Sequence, residues 1–336
     1  MPSSYNGNNG NNGNNGNNGN VGNASSVSAG WFFPDRVNLP FVTTPDTGPG
    51  KPVPPTPPIP VGNLPIVAIP RFPDRNWSTE WYAWLALAEF AGTDWQTKLL
   101  PTDADGWPAV APTPATLPAK PPNLDWTALT PAGEVNDLVT AAKNERADAL
   151  GEILSQSDEF ISYFLNTMSA RPASHPRTTQ VLAIASLVGT LVAMYLKGLY
   201  ARPRPSQLCP ALLPPIEVPG HSSFPSGHST QAHLMALCMA DVLMRPPPPS
   251  PLSAPVQGET TVDGLWTLAD RIARNREIAG LHYASDSAAG VATAQATLRL
   301  LRDDVPAGHN LLPPNPAGGP LSCYLRAVAG ARLEWP

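Results

Sequence analysis

The residues best able to do chemistry fall in three short segments of the 336-residue chain. The first, Lys197-Gly-Leu-Tyr-Ala-Arg-Pro-Arg204-Pro205, sets a lysine and two arginines at the end of the most apolar stretch. The second, Phe224-Pro-Ser226-Gly227-His228, reads as the opening of a helix. The third runs from Asn275-Arg276 to His282 and Asp286. Cations beside strongly apolar helices are costly to bury unless an anion neutralises them, and planar guanidinium forks suit tetrahedral oxyanions. An anion pocket is the consequence. At the helix start, backbone N–H groups and the positive dipole end turn toward the same anion, Gly227 permitting close approach and Ser226 adding a hydroxyl donor. His282 and Asp286 are four apart on one helix face, so the carboxylate can hold one ring nitrogen protonated and leave the other as a nucleophile. His228 remains as a separate acid or base.

These segments resemble the type 2 phosphatidic acid phosphatase and vanadium haloperoxidase superfamily, whose pattern is K-x6-R-P, then P-S-G-H, then S-R-x5-H-x3-D. Lys197 with Arg204-Pro205 fits the first part, Pro225 to His228 the second, and Arg276, His282 and Asp286 the third. The resemblance covers roughly residues 178–300. It departs at Asn275, where the family usually has Ser. Arg202-Pro203 offers a competing register, but only Arg204 has the family's interval from Lys197.

The resemblance implies a helical bundle of the acid phosphatase and vanadium haloperoxidase type, whose pocket binds phosphate or its near-isostere vanadate. In the phosphatase branch His282 would attack phosphorus and form a phosphohistidine, oriented by Asp286, while His228 protonates the leaving alkoxide. Lys197, Arg204, Arg276 and the Ser226-Gly227 turn would neutralise the phosphoryl oxygens, with no metal or other cofactor. In the peroxidase branch His282 would ligate vanadate as cofactor, and halide would be oxidised by hydrogen peroxide. His221 bears on that choice, because the family's bromoperoxidases carry a His at the corresponding place; otherwise it is loop filler and not a halide or substrate-pocket residue. Phosphate-ester hydrolysis is the first expectation and vanadium-dependent halide oxidation the second. A non-catalytic oxyanion-binding or scaffold protein is the alternative from another class.

The remaining polar residues have plainer readings. His233 should point elsewhere on its helix, and Arg202 should be a rim or structural cation. The three cysteines, an odd number without a CxxC pair, suggest free thiols in a reducing setting.

The elements that must position these groups read as helices. Ser78 and Glu80 look like a capped start for a helix ending at Gly92. Thr130-Pro131 opens another, with Val135, Leu138, Val139, Ala142, Ala149, Ile153 and Leu154 as its buried stripe. Further helices fit 157–169, 178–199, 227–244, 261–274 and 283–302, and no segment alternates over strand length. The expected fold is mainly α, a helical bundle with Pro-rich irregular arms. Its divisions are a disordered Asn/Gly-rich tail over 1–30, a Pro-rich extended arm over 31–76, a helical catalytic domain over 77–302 and a C-terminal extension over 303–336. The 43 prolines are more than twice the usual ~5%. The arm's aromatic and branched residues need a surface, which a second subunit of a homodimer could supply.

Charge and hydropathy limit the partners. A formal charge of −5 disfavours nucleic acid and anionic membrane surfaces. The longest apolar run, Val181 to Leu196, falls short of the ~20 residues of a membrane span, and the N-terminus lacks the features of a secretory signal. These readings give a soluble, cytoplasmic protein without membrane insertion, acting on a small-molecule phosphate ester or on halide and peroxide.

Overall fold

The computed structural model describes residues 72, 76–99, 132–243, 261–302, 312 and 322–335. The expected tail over 1–30, nearly all of the arm over 31–76 and the Thr130-Pro131 helix start lie outside the described residues. One compact unit includes Ser78–Pro336, and it carries every helix among the described residues.

Every regular element among the described residues is helical: α1 (Thr79–Ala91), α2 (Trp95–Leu99), α3 (Ala132–Asn144), α4 (Arg146–Asp158), α5 (Ile161–Thr167), α6 (Pro176–Tyr200), α7 (Pro205–Leu208), α8 (Gly227–Val242), α9 (Thr261–Ile278), α10 (Ala284–Arg302) and α11 (Cys323–Arg332). The fold is all-α. Helix α1 starts as its residues dictate: the Ser78 hydroxyl accepts from the Trp81 N–H, Glu80 sits in the first turn and Gly92 closes the helix.

The stripe expected over 130–154 is divided. The chain bends at Glu145, between α3 and α4, and Arg146 then reaches the carbonyls of Ile278 at 3.0 Å and Leu212 at 2.8 Å. Beyond the bend the buried positions are Ile153 and Gln156, while Leu154 is 47% exposed.

Helices α6 and α8 form the centre. Both are apolar around most of their circumference, as helices surrounded by protein are; α6 packs on α1, α8 and α11, and α8 on α9 and α10. The α8–α10 crossing depends on Gly290. A Cβ there would sit 2.7 Å from the Ser229 Cβ and 2.9 Å from the Ser226 carbonyl oxygen, so only glycine lets the helices approach this closely.

Residues 322–335 lie within the expected C-terminal extension, and they pack against the helices of the domain. The Tyr82 hydroxyl donates to the Cys323 carbonyl, the Glu89 carboxylate accepts from the Cys323 N–H, and Glu334 accepts from the Arg177 and Thr178 N–H groups at the start of α6. A carboxylate there satisfies orphan donors and complements the helix dipole.

The expectation about the apolar run is corrected. Pro176 opens the helix at its first turn, the chain stays helical to Tyr200, and the 25-residue result is long and apolar enough to cross a membrane by length and composition. Most of its apolar window is buried inside the fold.

Candidate active site

A cavity of about 490 Å³ opens where the ends of α6, α8 and α9 meet the loop after α4. Lys197, Arg204, His221, Gly227, His228, Arg276 and His282 all line it. The three sequence segments thus converge, with Lys197 in the last turn of α6, Gly227 and His228 opening α8, Arg276 near the end of α9, and Asp286 in the first turn of α10.

Asp286 is fully buried and anchors the nucleophile candidate. Its Oδ2 lies 3.3 Å from His282 Nδ1, accepts from the Tyr283 N–H at 3.1 Å and accepts from the Ser223 hydroxyl. Its Oδ1 accepts from Arg202 Nη1 at 2.7 Å. Burial alone would raise its pKa, but the His282 hydrogen bond and the Arg202 charge hold it below the usual carboxylate range. His282 Nε2 lies 3.1 Å from Arg204 Nη1. Since the carboxylate only accepts and the guanidinium only donates, the imidazole proton belongs on Nδ1 and the Nε2 lone pair accepts from Arg204. Burial keeps His282 neutral, its pKa well below the ordinary value despite the Asp286 hydrogen bond.

The cations differ in how far protein acceptors satisfy them. Arg204 is held by the His221 carbonyl, the Leu281 carbonyl and His221 Nδ1. Lys197 donates to the carbonyls of Ser222 and Ser223, each at 2.9 Å, which leaves one ammonium proton. Burial, then the charge of Arg204, lowers its pKa to about 7. Arg276 donates through Nη2 to the Ile153 carbonyl, whereas its Nε and Nη1 are buried without an acceptor among the described residues. Burial lowers the pKa of Arg204 and Arg276 to about 10, still charged at neutral pH.

His228 places Nε2 3.0 Å from the Gln156 carbonyl oxygen, so that nitrogen carries the proton and Nδ1 is bare. Burial, followed by the charge of Arg276, lowers its pKa to about 3. His221 is exposed at the mouth and bonds to Arg204, with a pKa pushed to about 4, chiefly by burial of its ring nitrogen and then by Lys197.

One expectation about a side chain is corrected. The Ser226 hydroxyl is turned onto its own helix, where it accepts from the Ser229 N–H, and Ser226 is not among the residues lining the cavity. An N-cap oxygen satisfies an otherwise orphan donor, so only the backbone of this turn faces an anion. Arg202, expected to be a rim or structural cation, is the latter: 1% exposed, it joins Asp286 to Ser285 Oγ at 2.7 Å and Glu134 Oε2 at 3.0 Å, and it lies over the Tyr283 ring. His233 does point away, to the Ser229 carbonyl and Asp270.

Glu134, Ser223 and Gln156 were not legible from the sequence. Glu134 lies 68 residues from Arg202 and 151 from Ser285, whose N–H it accepts. Ser223, next to the Pro-Ser-Gly-His motif, had only that proximity as a signal. Asn275, the departure from the family pattern, donates to Gln156 Oε1 and Glu152 Oε2, supporting the residue whose carbonyl holds His228.

Residues 178–307 match the sequence profile of the PAP2 superfamily. Two curated relatives, each a decaprenylphosphoryl-5-phosphoribose phosphatase of Mycobacterium tuberculosis, from strains CDC 1551 / Oshkosh and ATCC 25618 / H37Rv, are 30% identical over 129 residues. The match covers 38% of this chain and 62% of each relative's length. The cytoplasmic placement expected from the sequence is overturned: helix α6 meets the length and composition of a span, and these relatives carry in their name a decaprenyl-linked substrate.

Proposed function

We propose, with residues 178–307 as a PAP2-superfamily segment, that the protein hydrolyses phosphate monoesters through a phosphohistidine on His282. The observation that carries this reading is Arg276, whose Nε and Nη1 are buried without an acceptor among the described residues, on a cavity shared with Lys197, Arg204 and the start of α8. Buried charged donors without partners are costly, and a tetrahedral oxyanion supplies the missing acceptors. Phosphate and vanadate both fit this donor set.

A phosphate ester binds with its oxygens on Arg276, the third ammonium proton of Lys197, Arg204 and the Gly227 end of α8. Arg204 exchanges its contact with His282 Nε2 for a phosphoryl oxygen, which frees the lone pair. The ester enters as its monoanion and passes its proton to His228 Nδ1, and the resulting dianion offsets the Arg276 charge that keeps His228 neutral. His282 Nε2 then forms a bond to phosphorus as the bond to the leaving oxygen breaks, and that oxygen takes the proton from His228. Asp286 stabilises the charge that develops on the imidazole. Water next attacks phosphorus and yields a proton to His228, the P–N bond returns its electron pair to His282, and His228 passes its proton to the phosphate, which leaves as the monoanion.

The test is turnover of a generic phosphomonoester, together with acid-labile, base-stable labelling of the protein by radioactive substrate. His282→Ala should lose both, with turnover falling ~10³-fold or more. Near-wild-type turnover in that variant sinks the assignment.

His221 on Arg204 at the cavity mouth favours a second reading, vanadium-dependent halide oxidation. Bound vanadate would supply activation of peroxide, held by His282 Nε2 with Lys197, Arg204 and Arg276 on its oxygens. Bromide oxidation by the vanadate-loaded protein that exceeds its ester cleavage replaces the first reading with this one. Anion binding without either turnover leaves an oxyanion-binding protein.

A further inference from the structure

The cavity is larger than a phosphate group needs, and it continues away from the cations along two helices. On α6 its lining recurs at Ser186, Thr190, Ala193 and Lys197, one stripe of the helix. On α8 it passes from Gly227 to Gln231 and Met235, so Gln231 stands one turn, roughly 6 Å, from the anion grip.

Gln231 bridges the two helices. Its Nε2 donates to Ser186 Oγ at 3.0 Å and to Thr190 Oγ1 at 2.9 Å. Thr190 spends its own proton on the Ser186 carbonyl at 2.9 Å, so its oxygen meets Gln231 only as an acceptor. That fixes the amide with nitrogen toward α6. Gln231 Oε1 then has no protein donor among the described residues, on a side chain that lines the cavity. Ser186 Oγ accepts from Gln231, and its proton has no acceptor among the described residues. The wall therefore offers an acceptor and a donor side by side, held rigidly, about one turn beyond the phosphate position.

We propose that this wall binds hydroxyl groups on the alcohol part of the substrate, so that the preferred ester is that of a polyol or sugar and not of a plain alkanol. The inference rests on the phosphatase reading for turnover, though not for binding. An alkyl chain laid over Gln231 Oε1 and Ser186 Oγ would strip them of water without replacing its hydrogen bonds, whereas a hydroxyl both donates and accepts.

Two ligands that share charge and chain length and cannot be hydrolysed, butylphosphonate and its 3,4-dihydroxy derivative, read the wall directly by calorimetry. The full chain should bind the dihydroxy compound about 3- to 10-fold more tightly. Gln231→Leu should bring the ratio close to one. Thr190→Val, which removes an anchor of Gln231, should lower the ratio in the same direction. A wild-type ratio of one or below, a ratio unchanged in Gln231→Leu, or binding of neither phosphonate overturns the proposal. Ester turnover measured alongside separates the two readings. A persistent binding preference without turnover sinks the phosphatase and keeps the wall; turnover with no preference does the reverse.

Discussion

Arg202 Nη1 lies 2.7 Å from Asp286 Oδ1, with the two side chains 1% and 0% exposed. This pair links the far side of the imidazole to Glu134 on α3, through Arg202 Nη2. Removing one member of a buried ion pair strands the other charge, so Arg202→Ala should cost about 3–5 kcal/mol of stability, read by denaturant unfolding. Arg202→Lys keeps the charge but cannot span Ser285, Asp286 and Glu134 together. It should fold, lower kcat more than it raises KM, and move the acid limb of the pH–kcat profile upward, because Asp286 loses part of the cationic support that keeps it ionised. A merely structural Arg202 would leave that limb in place.

Asp286→Asn removes the carboxylate charge behind His282 and leaves the volume unchanged. The expected result is a folded protein whose ester turnover drops by ~10²-fold or more. Thermal unfolding and kcat, measured on the same preparation, check this; wild-type turnover would show that Asp286 does not orient His282.

Lys197 has its pKa lowered to about 7 by burial and by Arg204. Above that pH the free site loses its ammonium charge, and an anion that needs this charge must draw a proton in with it. Sulfate keeps a constant charge across this range, so its affinity should fall as pH rises through 7, with proton uptake on binding at pH 8. Calorimetry in buffers of different ionisation enthalpy measures that uptake, and Lys197→Met should abolish it.

Gly290 supports the motif without taking part in it. Gly290→Ala forces a Cβ against Ser229 and the Ser226 carbonyl, and overpacking of this kind costs about 1–3 kcal/mol. Gly227→Ala meets only Lys197 Cε, at 3.9 Å, so the fold should tolerate it. A melting-temperature comparison of the two variants should show a clear loss for Gly290→Ala alone.

Sequence by itself determined the parts of the site that local geometry fixes. His282 and Asp286 meet because four residues make one helical turn, whereas Arg204 was singled out from Arg202 only by the interval of the family that the segments resemble. Helix class was legible for the same reason, since apolar spacing and caps are local signals. Tertiary structure decided what depends on distant partners. The Glu134–Arg202–Asp286 chain, the reach of Arg146 to the Ile278 carbonyl and the Glu334 cap on α6 join segments far apart in sequence, with no periodicity to announce them. The same holds for Gln231. Its type and position say only that it comes after His228 on a helix, while the direction of its amide oxygen is set by Ser186 and Thr190 across the α6–α8 interface.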